Sequence, residues 1–181
     1  MAEIAKKEGM TLFSLINEIL ETAIFAHEVK LGKLSELIKN YQDLMLAKDM
    51  GMVLVPLKLE NLVNKLAFQT DGWDELLTNW YGYGKWIANY TKVRFPQNRL
   101  KIFESVNKTL YWTNTEFEIK YTPDDQDPDD IELRIFGQDL EIEYLECIVS
   151  AYEGIFHEFK YKTTKKEISQ GICLLSLKKI E

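Results

Sequence analysis

Histidine and cysteine occur only twice each in the 181 residues, as His27, His157, Cys147 and Cys173. A zinc centre needs such ligands clustered at close spacing. The nearest two, Cys147 and His157, stand ten residues apart on one helical stretch. That is almost three turns, about 15 Å along the axis, so no metal site is expected. A chain of this length buries enough core without staples, and intracellular thiols stay reduced, so both cysteines are read as buried free thiols. No apolar run reaches the roughly 18 residues of a membrane span. The opening Met1 to Met10 is polar and lacks the apolar core and small-residue cleavage site of a secretory signal. A soluble, cytoplasmic protein with no integral membrane segment is expected.

A basic surplus is also missing. The formal net charge is -7, whereas a nucleic-acid partner calls for a positive footprint that releases counterions. Lys160 to Lys179 is locally basic, but lysines alternating with strand residues read as a solvated sheet face. No nucleic acid is expected as partner. Nucleophile elbow, phosphate loop and dinucleotide fingerprint do not occur. Gly82-Tyr83-Gly84 lacks a third glycine and falls within a helical stretch. The acidic run Asp124 to Asp130 fails as a calcium loop. Started at Asp125, it puts Asp130 where glycine is needed and Phe136 where glutamate is needed. These absences lean against an enzyme, although chemistry without a motif stays open.

What is present has clear periodicity. Thr11 caps a helix to about Glu28, with Leu12, Leu15, Ile16, Ile19, Leu20, Ala23 and Ile24 at helical spacing. Ser35 opens a second helix, with Leu37, Ile38, Tyr41, Leu44 and Met45 inward, and Gly51 closes it. A third runs from Pro56 to about Gln69 with Leu59, Leu62, Val63 and Leu66, and a fourth from Trp73 to about Thr91. Thr109 to Thr122 then alternates, with Phe117, Ile119 and Tyr121 on one side, and Ile131 to Phe136 returns as its partner strand. Leu140 to about Lys160 is helical again. Tyr161 to Ile168 and Ile172 to Leu177 form a last hairpin over Ser169-Gln170-Gly171. The predicted fold is α+β: N-terminal helices, then a small antiparallel sheet of two hairpins around a C-terminal helix. It reads as one domain over 1–181, with a helical part to about residue 70.

The fourth helix is the most distinctive segment. Trp80, Tyr83, Ile87 and Tyr90 share a face, and Tyr81 and Trp86 flank it. Packed core is the ordinary explanation of such a stripe. Gly82 and Gly84, however, each cost about 1 kcal/mol against alanine in a helix, which points to close approach by another backbone or a ligand.

The last helix carries Ala151-Tyr152-Glu153-Gly154-Ile155-Phe156, a small-x-x-Gly step, and the final hairpin carries Gly171-Ile172-Cys173. With the aromatic-glycine helix Trp80 to Ile87, these segments resemble the 4-vinyl reductase-type, or hydrocarbon-binding, domain over about residues 73 to 179. The order of elements also resembles the Bet-type subunits of the TRAPP tethering complex and the haem-nitric-oxide-binding domains. The haem branch needs an axial histidine in the helical centre and a Tyr-x-Ser-x-Arg trio. This chain has neither between His27 and His157, so no cofactor is expected. The resemblance implies a non-catalytic domain binding a small apolar molecule or an acyl chain against Trp80, Tyr83, Trp86, Tyr90, Tyr152 and Phe156. The alternative it implies is a TRAPP-like protein–protein interaction subunit, working as a homodimer or hetero-oligomer, with apolar stripes exposed on the first two helices. Reduction of a tetrapyrrole vinyl group is a third option, for which no recognisable nicotinamide or flavin site exists.

Overall fold

A computed structural model describes residues 1–30, 32–94, 115–120 and 128–180. They fall into two compact units, Met1–Asp49 and Met50–Glu181. The first holds helices α1 (Ala2–Lys7), α2 (Leu12–Glu28) and α3 (Leu34–Asp49). The second holds α4 (Leu57–Phe68), α5 (Trp73–Arg94), strands β1 (Glu116–Lys120) and β2 (Asp130–Phe136), helix α6 (Ile142–Glu158), and strands β3 (Tyr161–Ser169) and β4 (Ile172–Lys179). This is the expected α+β arrangement. Among the described residues, no helix is long and apolar enough to cross a membrane.

In the first unit, the Thr11 hydroxyl accepts the Ser14 amide at 3.1 Å and caps α2 as its sequence position predicts. The short α1 was not expected from so polar a segment. Burial departs further from expectation. Leu12, Ile19, Leu20 and Ile24 of α2, and Ile38 and Tyr41 of α3, are exposed rather than inward. The hydrophobic residues this unit buries are Ala5, Ala26 and Leu46. Periodicity identified the helices correctly, but an apolar stripe needs something to lie against, and two helices with a six-residue third enclose little.

The core lies in the second unit. Its sheet has the order β1-β2-β4-β3 with every neighbour antiparallel. Ile131, Leu133 and Ile135 of β2 lie beside Leu177, Leu175 and Cys173 of β4 in register, and all six are buried. On β1, Phe117 and Ile119 are half-buried while Glu116, Glu118 and Lys120 are exposed, the alternation read from the sequence. Tyr121, the rest of that expected strand and most of the acidic turn lie outside the described residues.

Helix α6 crosses the sheet and packs against α5 and α4 on its other side. Eleven of its 17 residues are buried, as required of a helix covered from both sides. Gly171 turns the β3–β4 corner at φ +71°, and a Cβ there would stand 2.7 Å from the Gly137 carbonyl oxygen. Glycine is therefore the residue that lets this corner pack on the β2–α6 connection, where the Gly171 amide donates to Leu140 O at 3.1 Å.

Candidate functional site

The seam between α5 and α6 is set by two glycines. A Cβ on Gly84 would lie 1.9 Å from the Ala151 carbonyl oxygen, and one on Gly154 would lie 2.1 Å from the Tyr81 carbonyl oxygen. Each helix thus presents a hydrogen where the other presents backbone, and the main chains touch. Ser150 Oγ reinforces the seam by donating to Leu77 O at 2.8 Å. Close approach was one of the two explanations offered for the costly glycines of α5, and at Gly84 it is the one realised. Gly82 has nothing within 4 Å, and the structure offers no explanation for it.

The aromatic residues of α5 run along its flank as a ladder. Trp80 meets Tyr83 edge-on at 6.4 Å between ring centroids; Tyr83 stacks on Trp86 at 6.0 Å, and Trp86 stacks on Tyr90 at 5.4 Å. Arg94 ends the series, with Nη1 donating to the Tyr90 hydroxyl at 2.7 Å. Trp80 also reaches Tyr144 of α6 at 6.5 Å. The Tyr83 hydroxyl donates to Met50 O at 3.3 Å, and partial burial raises its pKa. Trp86 is 45% exposed although both its faces contact rings. The ladder therefore shows its surroundings ring edges and polar tips.

Tyr152 and Phe156, the other two candidate residues, belong to a different environment. They lie on the sheet side of α6. Tyr152 contacts Phe117 of β1 at 5.7 Å, and Phe156 meets Tyr161 of β3 at 6.2 Å. Both side chains are buried, and the Tyr152 hydroxyl is pushed far above its ordinary pKa by desolvation. The six candidates thus form two sets: the α5 ladder, and a pair in the core between α6 and the sheet.

Three polar groupings were not visible in the sequence. The Tyr81 hydroxyl is paired with His157 Nδ1, joining α5 to the end of α6. Further along α5, Lys85 and Lys92 lie 3.4 and 3.3 Å from the Glu158 carboxylate. Burial alone would raise the Glu158 pKa, but hydrogen bonds from Lys92 and Lys85 and their charges hold it below the ordinary value. A folded pKa below the unfolded one gives stability that is complete above about pH 4.3 and is lost as pH falls through the folded value. Urea midpoints of the protein and of Glu158→Gln are therefore expected to differ at neutral pH and to converge as the carboxylate protonates.

The third grouping lies beneath α4. Asn64 is 1% exposed; its Nδ2 donates to Glu60 O at 2.9 Å and to Glu60 Oε1 at 3.2 Å. Its Oδ1 accepts the Cys147 thiol at 3.5 Å. Burial first, then the Glu60 charge, pushes both Cys147 and Tyr144 up to about 12. Cys173 is likewise buried and raised to about 12, so both thiols are protonated and sheltered, and neither is a nucleophile in this state. Among the described residues, no group of three or more His, Cys, Asp or Glu side chains is placed to hold a metal ion.

The arrangement defines an α+β unit with a close-packed helix pair and an aromatic flank. No protein-family model, curated protein or solved structure matches the chain. The resemblance drawn above accordingly rests on the quoted residues.

Proposed function

We propose that the protein is a non-catalytic protein–protein interaction subunit of the cytoplasm, as the TRAPP-like resemblance implies, assembling through outward apolar faces of its N-terminal helices. One observation carries this reading. On α2, Phe13 (73% exposed), Leu20 and Ile24 form an apolar row, and exposed Leu59, Leu62, Val63 and Leu66 repeat the pattern on α4. Apolar faces of this extent on a small protein mark interaction surfaces. The thin core of the 49-residue first unit points the same way, because a unit this small usually needs staples or association to stay folded.

A second reading, binding of an apolar molecule or acyl chain, draws support from the half-buried ladder Trp80, Tyr83, Trp86 and Tyr90. Native mass spectrometry at low micromolar concentration, beside a denatured sample, separates the two. The interaction reading expects twice the chain mass or more with nothing added. A monomer carrying extra mass favours the ligand reading, and a bare monomer overturns the proposal.

A further inference from the structure

The connection from α3 to α4 is held differently from its neighbours. Val53 is 79% and Leu54 74% exposed, Val55 is exposed as well, and no hydrogen bond joins the backbone of these three residues to any described residue. The other helix-to-helix connections are pinned by their own main chain. Met10 N donates to Ala5 O at 2.8 Å, Lys30 N to His27 O at 3.1 Å, and Thr70 N to Ala67 O at 3.0 Å. Both ends of the α3–α4 segment keep it presented. On one side, Met50 is 2% exposed and its carbonyl accepts the Tyr83 hydroxyl. On the other, Pro56 begins α4 without a side-chain cap, so the first turn of that helix unwinds at little cost. The boundary between the two compact units falls between Asp49 and Met50, at the head of the segment.

We propose, independently of the interaction reading above, that the Val53–Leu54 peptide bond is a proteolytic processing site. An endopeptidase takes its substrate as an added strand, pairing with free main-chain groups and seating alternate side chains in pockets. Gly51 to Val55 supplies such a strand without unfolding a helix. The residue before the bond sets the class of enzyme: Val53 suits the small pocket of an elastase-type peptidase. Peptidases that cut after lysine or arginine find neither between Lys48 in α3 and Lys58 in α4. Water is the co-reactant. The amide bond breaks, Val53 gains a carboxylate, and Leu54 gains an ammonium group. The cut separates Met1–Val53, with the exposed row of α2, from Leu54–Glu181, which retains α4, α5, α6 and strands β1 to β4. Among the described residues, the buried hydrophobic ones that leave with the first product are Ala5, Ala26, Leu46 and Met50. The second product therefore keeps its core. Departure of Met50 also takes its carbonyl from the Tyr83 hydroxyl, so the cut reaches the α5 ladder.

The test digests the full chain briefly with elastase and reads intact masses. The pair Met1–Val53 and Leu54–Glu181 is expected to form about 100-fold faster than any cut inside α2, α5 or α6, where the helix must open first. Leu54→Pro removes an N–H that has no partner among the described residues, so its circular dichroism is expected to match the parent's while cleavage after Val53 is lost. The Leu54–Glu181 product is expected to keep a cooperative thermal transition. A Val53–Leu54 bond that survives while the helices are cut, undiminished cleavage of Leu54→Pro, or a released product that has lost its fold overturns the proposal. The interaction reading is tested on the uncut chain and stands or falls separately.

Discussion

Replacing Gly154 by alanine is expected to destabilise the protein by about 2 kcal/mol, and Gly84→Ala by a similar amount, whereas Gly82→Ala is neutral or stabilising. The three substitutions are chemically identical and lie on the same helix pair. The new methyl at position 154 would start 2.1 Å from the Tyr81 carbonyl oxygen, and at position 84 it would start 1.9 Å from that of Ala151. Neither obstacle is a flexible side-chain end, so the helices must separate. Overpacking of this kind costs about 1–3 kcal/mol or more. Separation also loosens the Ser150–Leu77 bond and the neighbouring contacts. Opposing it is the roughly 1 kcal/mol that alanine gains over glycine within a helix, and at Gly82, with open space around it, that gain is all that is left. Thermal unfolding reads the contrast. At about 2–4 °C per kcal/mol for a chain of 181 residues, the two seam variants melt roughly 4–8 °C lower and Gly82→Ala does not. Equal melting of all three would mean that the helices do not touch there.

The same glycines show how far the sequence could be read. Two glycines in a helix rich in Tyr and Trp signal a penalty that something must offset, and this could be inferred from helix propensity alone. Which glycine mattered could not, because that depends on Ala151 and Gly154, about 70 residues further on. The strands were legible for a simpler reason: Phe117 and Ile119 alternate with Glu116, Glu118 and Lys120, and period two admits one interpretation. Helical period was equally clear in α2 and α4, but it reveals only that an apolar face exists. Whether the face meets a core is decided by the rest of the chain, and for Leu20, Ile24, Leu62 and Leu66 it does not among the described residues. The polar pairs were hidden altogether. Tyr81 and His157 are 76 positions apart and Asn64 and Cys147 are 83 apart, and nothing local in either segment announces the partner.

Helix α6 links these observations. Its Ala151 and Gly154 define the seam with α5, its Cys147 anchors the polar underside of α4, and its Tyr152 and Phe156 fill the space over the sheet. Because each face of α6 has its own occupant, residues only a few positions apart sit in unrelated surroundings. The two candidates on α6, Tyr152 and Phe156, face the sheet, whereas the other four line a flank of α5, and so the six separate into two environments.

Truncating one residue from each environment is expected to give opposite results. Phe156 is fully buried and touches Tyr152 and Tyr161, and its replacement by alanine removes that packing and leaves a cavity. Such changes cost about 3–5 kcal/mol, so Phe156→Ala should melt 10 °C or more below the parent, or fail to fold at 37 °C. Trp86 is stacked on Tyr83 and Tyr90 but 45% exposed. Losing those pairs costs about 0.5–1.5 kcal/mol each at most, alanine returns part of it through better helix propensity, and solvent fills the space without a cavity. Trp86→Ala is expected to melt within about 5 °C of the parent. If Phe156 instead lined an open ligand site, its truncation would leave stability nearly unchanged and would alter binding. A large drop in melting temperature for Phe156→Ala alongside a small one for Trp86→Ala assigns Phe156 to the core and leaves the α5 ladder as the aromatic surface open to partners.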